Sequence, residues 1–248
     1  MRQTGGVNAP RTARERARLE ITQEIVDTAR AHLAVYGAAG LSLRAVARDL
    51  GMASSAVYRY FPSRDDLLTR LIIDAFKGLG EAAEQAEARV DRDDLLGRHA
   101  ALWNAVRGWA LERPQEYLLI YGSPVPGYVA PVDTVQPATR VSTVLTVILV
   151  EGLAAGRVHP PPEPINRRTK AALVPARQYF PKQIGDDLLL RGLMSWAGMF
   201  GNITFELNGM FHNVVGDAEG DRQAYFDAAI RRTADFIGLD RDPAPASR

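Results

Sequence analysis

The sequence contains no cysteine, which excludes both a disulfide framework and a thiolate zinc site. Lysine is almost missing: 27 of the 30 basic residues are arginine, and only Lys77, Lys170 and Lys182 are lysine. Histidine is scarce and scattered, with His32, His99, His159 and His212 showing none of the H-x-x-x-H spacing that a helical metal site needs. Gly78-Leu79-Gly80 and the stretch from Gly216 to Gly220 lack the preceding strand and following Lys-Ser/Thr of a phosphate-cradling loop, and no G-x-S-x-G elbow occurs. With no nucleophile, base or metal set to assemble, neither an enzyme nor a bound cofactor is expected. Long apolar runs are also absent. The most apolar later stretch, Val141 to Leu149, is followed by Glu151 and is too short to span a bilayer. The polar, arginine-rich N-terminus lacks the apolar run of a signal peptide, so the expected location is the cytoplasm. Alternating strand patterns of useful length are missing too, which predicts an all-α fold.

What is present is an ordinary soluble composition, 46% hydrophobic and 24% charged, in 248 residues, enough for one large domain or two small ones. The formal charge of +1 conceals a division. Residues 1 to 64 hold ten arginines against five acids, a net +5, and the remainder carries −4. Positive charge gathered in one segment is the electrostatic footprint of a nucleic-acid contact.

That segment contains LSLRAVARDLGMASSAVYRYFPSRDDLL, from Leu41 to Leu68. Ser42 can cap a helix whose apolar positions Leu43, Val46, Ala47 and Leu50 share one face, and Gly51 can end it in a left-handed turn. After Met52 and Ala53, Ser54 can cap a second helix, from Ser55 to about Tyr60, which Pro62 stops. This is the pattern of a helix-turn-helix. With Ser42, Val46-Ala47, Gly51, Tyr58-x-x-Phe61 and Arg64 at fixed spacing, the stretch resembles the DNA-binding segment of the TetR family of bacterial transcriptional regulators. It departs from the family's common pattern at Ser54, Ala56 and Tyr60, where Lys, Thr and His are frequent. The resemblance implies an N-terminal three-helix DNA-binding domain, with Ser42, Tyr58, Tyr60 and Arg64 positioning phosphates. Arg44, Ser54 and Ser55 are then the candidates for base edges.

Ahead of the motif, residues 1 to 14 are expected to form a flexible basic arm. Arg11, Arg14, Arg16 and Arg18 have two readings, a minor-groove arm or a solvated helical extension paired with Glu15 and Glu20. The first amphipathic helix buries Ile21, Ile25, Val26, Ala29 and Leu33 on one face and closes at Gly37. The DNA-binding domain is placed at residues 15–64.

Three tetrads, Asp65-Asp66-Leu67-Leu68, Asp93-Asp94-Leu95-Leu96 and Asp186-Asp187-Leu188-Leu189, raise the question of paired carboxylates for metal or acid–base work. Each opens an apolar helical pattern, where acids suit the free N–H groups and the positive end of the helix dipole, so they are read as helix starts. Residues 65–240 then read as helices, with an irregular stretch from Gly122 to Pro137. A basic, proline-rich connection runs from Gly156 to Pro181, either a lid over a ligand or a solvated loop. Residues 241–248 are expected to be disordered.

The long helix from Asp187 to about Phe211 carries Gly192, Gly198, Gly201 and Gly209, each costing about 1 kcal/mol relative to Ala, which calls for close packing in return. With the last helix, from Tyr225 to Ile237, it reads as half of a four-helix bundle completed by a second copy. Trp196-x-x-x-Phe200-Gly201 and Arg113-Pro114-x-x-Tyr117 resemble the C-terminal domain of a TetR subgroup with a Trp-x-x-x-His-Gly motif, Phe200 standing in place of the histidine. The resemblance implies a ligand pocket, for which Trp103, Trp109, Tyr117, Tyr121, Trp196 and Phe200 are the candidates. Plain core packing is the competing reading of each. Together these readings predict a homodimeric, ligand-responsive regulator of double-stranded operator DNA, a repressor released by a small, mostly apolar effector. The alternative is a binding module whose helix-turn-helix no longer reads DNA.

Overall fold

The computed structural model describes residues 12–161 and 163–239; among them every element is helical apart from one isolated bridge, Val158 with Leu239. The fold is all-α, as the periodicity predicts. The expected arm lies outside the described residues up to Arg11, and so does the expected tail over 241–248. The chain divides into a first unit, running to Ile72 and taking in Pro124–Ala130, and a second holding Ile73–Ser123 and the residues from Pro131 onward. The break falls inside a helix rather than at residue 64.

In the first unit, helix α1 spans Ala13–Tyr36 and opens on a capping box. Thr12 Oγ1 accepts from the Glu15 amide at 3.2 Å and Glu15 Oε2 accepts from the Thr12 amide at 2.8 Å, which satisfies two N–H groups that a helix end leaves open. Glu15 is therefore a cap, and Arg14, Arg16 and Arg18 belong to the helix itself. Helix α2 spans Leu43–Asp49 and is capped by Ser42 as its sequence predicts. Gly51 ends it at φ 65°, where its own N–H reaches Arg48 O and that of Met52 reaches Ala47 O. A Cβ would strain this left-handed turn. Helix α3, Ser54–Val57, is followed by tight turns through Phe61. Its cap position belongs to Ala53, so Ser54 is the first helical residue and its hydroxyl is not used as a cap. Helix α4, Arg64–Glu87, starts on Asp65 and Asp66 and passes from this unit into the next. Ile25, Val26, Ala29 and Leu33 of α1 close the small core with Val46, Val57 and Leu67, all buried. Each large apolar side chain so buried stabilises the unit by about 1.5–3 kcal/mol. His32 Nε2 lies 2.7 Å from Asp49 Oδ2 and ties α1 to α2. That hydrogen bond holds the Asp49 carboxyl below the usual carboxylate range.

The second unit adds α5 (Leu95–Glu112), α6 (Pro114–Tyr121), a 3-10 turn at Val132–Thr134, α7 (Val135–Ala138) and α8 (Arg140–Ala154). It continues with α9 (Arg167–Arg177), α10 (Asp186–Leu207) and α11 (Glu219–Ile237). Asp94 caps α5, accepting from the Gly97 amide at 2.7 Å, and Asp186 and Asp187 occupy the first turn of α10, so the acidic pairs mark helix starts. Two differences from the sequence reading have local causes. The connection expected from Gly156 to Pro181 contains α9, capped by Asn166, with only Leu173 of the helix buried and Pro175 inside it. A helix with one buried apolar residue leaves no period to detect. The last helix also starts at Glu219, six residues before Tyr225, on a polar first turn bearing Glu219 and Asp221.

Buried arginines knit this unit. Arg107 grips both oxygens of Glu206, at 2.8 and 2.5 Å, and Gln223 at 2.6 Å, joining α5, α10 and α11. Arg98 sits fully buried against Glu87 and Glu151, and Arg191 bonds to Asp187 and to the carbonyl of Phe236. Such pairs exact a large cost when one partner alone is removed.

Candidate nucleic-acid interface

Helix α3 is too short to bury a face of its own: Val57 is inside, and Ser54, Ser55, Tyr58 and Arg59 are exposed. Arg44 of α2 is exposed as well. Hydroxyls and guanidinium groups on one short helix and its neighbour form a donor-rich surface suited to phosphates and base edges. Tyr60 is half-buried, and the guanidinium of Arg18 lies over its ring, 5.7 Å from the centroid.

This contact belongs to a groove of about 310 Å³ between the start of α1 and the recognition segment, lined by Arg14, Arg18, Ile21, Met52, Arg59 and Tyr60, among others. Three arginines facing one groove concentrate positive potential beside the exposed serines. The pairing of Arg14 with Arg18 is visible as an i, i+4 spacing on α1. Their meeting with Arg59, across more than forty residues, has no signal in the sequence.

Arg64 is placed differently from its expected role. Its Nε donates to Leu41 O at 3.1 Å and its Nη2 to Ala38 O at 2.8 Å, fastening the α1–α2 connection to the start of α4. With Nε and Nη2 committed to carbonyls, the guanidinium keeps Nη1, 3.5 Å from Asp65, for any further partner. Ser42, whose oxygen accepts from the Ala45 amide at 3.4 Å, caps α2 and still holds a proton to donate.

The six aromatic residues predicted for a ligand separate into two groups. Tyr117, Tyr121, Trp196 and Phe200 form one cluster, with Tyr121 and Phe200 ring centroids 4.0 Å apart and Trp196 edge-on to Phe200 at 5.1 Å. The Tyr117 hydroxyl donates to Phe200 O at 3.0 Å, and burial pushes its pKa up to about 12, so it stays protonated. Trp103 and Trp109 lie apart from that cluster, both buried: Trp103 is held between His99 and Phe226, and the Trp109 indole nitrogen packs so closely on Gly78 that a Cβ there would stand 3.2 Å from it. Trp196 also lines a cavity, formed by α8, α10 and the residues after α9. Among the described residues no group of His, Asp and Glu could hold a metal ion, and no single helix is long and apolar enough to cross a membrane.

Comparison with known proteins agrees with this arrangement. Residues 25–71 match the model for bacterial regulatory proteins of the tetR family, and residues 99–233 match the tetracyclin repressor-like C-terminal domain. The chain is 39% identical over 232 residues to the HTH-type transcriptional regulator Rv1816 of Mycobacterium tuberculosis, covering 93% of this chain and 96% of that one. Mb1846 of Mycobacterium bovis, also an HTH-type transcriptional regulator, matches to the same extent. Among solved structures, the crystal structure of SCO4313, described as a regulatory protein, superposes with a TM-score of 0.72 at 34% identity, over 90% of this chain and 98% of that one. A protein of unknown function from Rhodococcus sp. RHA1 gives 0.63 at 26% identity, over 86% and 94%. With a helix-turn-helix unit, a helical C-terminal unit and relatives matched over nearly their whole length, the chain belongs to the TetR family and is a DNA-binding transcriptional regulator, not an enzyme.

Proposed function

We propose that the chain acts as a homodimeric repressor that binds a palindromic operator in the cytoplasm and leaves it when a small, mostly apolar effector occupies the C-terminal unit. The observation that carries this reading is the open face of α10. Met194, Ala197, Gly201 and Phe205 follow one another at three- and four-residue steps along one side of the helix, and all four are exposed. Nothing lies within 4 Å of where a Cβ would stand on Gly198 or Gly201, so α11 does not fill the space those glycines leave. Interior glycines costing about 1 kcal/mol each then find their compensation in a second copy packed closely on this face. Tyr225 of α11, bonded through its hydroxyl to Asn202 at 3.0 Å, extends the same face.

In a two-fold dimer the recognition segments would enter successive major grooves about 34–36 Å apart, Arg44, Ser54 and Ser55 reading base edges. Ser42, Tyr58, Tyr60 and the arginines of the basic groove would hold the backbone. By helical period, Gly192 and Trp196 lie on the side of α10 opposite Gly201 and Phe205, so one helix would wall both the ligand cavity and the dimer face. An effector that binds more tightly to the conformer with unsuitable recognition-helix spacing would lower operator affinity by that difference. The C-terminal likeness to the Trp-x-x-x-His-Gly subgroup is part of this proposal, with Phe200 supplying aromatic contact where that subgroup has a histidine.

The experiment is fluorescence anisotropy on labelled DNA from the gene's own upstream region with random competitor at two salt concentrations, beside light scattering for mass. Salt-sensitive binding that survives competitor, by a particle of twice the chain mass, is the expected result. A monomer in solution and on DNA would refute the dimer.

A further inference from the structure

The cavity between α8, α10 and the residues after α9 has a volume of about 140 Å³. Leu145, Leu149, Leu188, Leu189, Phe180 and Ile184 make most of its wall, with Trp196 at one side, and no charged side chain lines it. Gly192 opens it further, since a Cβ there would meet nothing closer than Leu149 Cδ1 at 3.7 Å. In scale it is close to an engineered cavity of about 150 Å³ that takes up benzene. Its buried part therefore fits one ring or a short alkyl chain.

Two hydroxyls interrupt the apolar wall, Ser142 and Thr146, one turn apart on α8. Both protons are already committed to the helix. Ser142 Oγ donates to Thr139 O at 2.8 Å, and Thr146 Oγ1 donates to Ser142 O at 2.7 Å. What each oxygen has left to offer is acceptor lone pairs. An incoming O–H or N–H would be met, whereas a carboxylate or other pure acceptor would face two acceptors and lose its hydration without return. Arg177, which donates to the carbonyl of Ile184 and lies 3.6 Å from Asp186, is not among the side chains that line the cavity.

We infer that this cavity is the effector site and that it selects an uncharged molecule of about one ring, apolar over most of its surface and carrying a hydroxyl or N–H donor at one end. This inference rests on the ligand-responsive reading above.

The test is titration calorimetry of the full chain with 4-ethylphenol, ethylbenzene and 4-ethylbenzoate, which differ only in a donor, no polar group and an ionised acceptor. The phenol is expected to bind about tenfold more tightly than the hydrocarbon, the scale of one good hydrogen bond, and the benzoate not measurably. In the Ser142→Ala/Thr146→Val variant the tenfold preference should collapse while ethylbenzene binding persists. Gly192→Leu, which fills the cavity and favours the helix, should abolish binding of all three probes with an unchanged far-ultraviolet spectrum. Equal affinities for phenol and hydrocarbon, or tight binding of the benzoate, would overturn the donor rule. Failure of every probe to bind a protein that still holds its operator would overturn the site and leave the operator reading standing. If the phenol binds as expected but never releases DNA, the site stands and effector-controlled release falls.

Discussion

Two arginines separate the DNA contact from the scaffold behind it. Arg64 holds the carbonyls of Ala38 and Leu41 at 2.8 and 3.1 Å, with Ala39 O at 3.4 Å from the same Nη2, and its side chain is 31% exposed. Arg64→Ala leaves Ala38 O and Leu41 O to find partial hydration, at a cost of about 2 kcal/mol for a charge-assisted pair. Its operator affinity, measured where the protein is fully folded, should keep the wild-type salt slope. Arg59 is exposed on the basic groove. Arg59→Ala should change stability by less than about 0.5 kcal/mol and lower the slope of log K against log salt by about 0.9 for each protomer on DNA. Arg64→Lys sharpens the distinction: a phosphate accepts either cation, but lysine cannot reproduce a fork that reaches two carbonyls at once. That variant should therefore lose stability and keep its slope. Urea denaturation and anisotropy at 50–300 mM salt, on the same preparations, read both quantities. If Arg64→Ala loses about one unit of slope per protomer and no stability, the inward assignment is refuted and Arg64 turns outward to a phosphate in the complex.

Three further perturbations test the second unit. Complete burial pushes the His99 pKa down from 6.5 to about 4, so the unfolded chain takes up the proton first and stability falls as pH drops below 6.5. A loss of about 2 kcal/mol between pH 7.5 and 5 is expected, from urea midpoints, and His99→Leu should flatten it; an unchanged slope in that variant would refute the assignment. Arg107→Met leaves Glu206 nearly buried without its partner and should cost about 3–5 kcal/mol, most of it recovered when Glu206→Leu is added, as denaturation of the single and double variants will show. A Cβ on Gly201 would meet nothing within 4 Å in its own protomer, and Gly201→Glu should yield a folded monomer by light scattering, whereas a persistent dimer would move the interface elsewhere.

The helix-turn-helix was legible because its constraints are local. The Ser42 cap, the Gly51 turn and the apolar face of α2 each depend on residues within one or two turns, and all three form as their spacing predicts. The acidic tetrads were legible for the same reason. What was not legible depends on contacts distant in sequence. Nothing in the spacing of Arg64 reveals that carbonyls 23 and 26 residues earlier await its guanidinium. The aromatic residues were recognisable as bulky and polar-tipped, but which of them would meet a cavity was decided by the wall facing each one. Trp103 found Phe226, and Trp109 found Gly78. The cavity beside α8 and α10 is lined mostly by leucine, isoleucine and phenylalanine, residues that look like ordinary core until the space between them is seen.

The polar side chains show why this regulator would be sensitive to occupancy of a site with so little chemistry in it. Arg107 and Arg98 pin α5, α8, α10 and α11 through paired charges that resist separation, and Arg191 adds a hydrogen bond from α10 to the carbonyl of Phe236 in α11. On the cavity side, α9 buries only Leu173 of its own length and is tied to the start of α10 by Arg177, 3.6 Å from Asp186, while the cavity wall itself is apolar except for Ser142 and Thr146. Apolar contact is non-directional and changes gradually with position, while a bidentate ion pair is lost abruptly. A ligand entering there would meet the more yielding wall first and press on Gly192 and Trp196 from the side opposite Gly201. A coupling of 1–3 kcal/mol, the usual range for linked sites, is within what a ring-sized apolar ligand can supply through differential burial. On the proposed reading, the arginine network would keep the α10–α11 pair moving as one body, so pressure at the cavity would be delivered to the dimer face instead of being absorbed between the two helices.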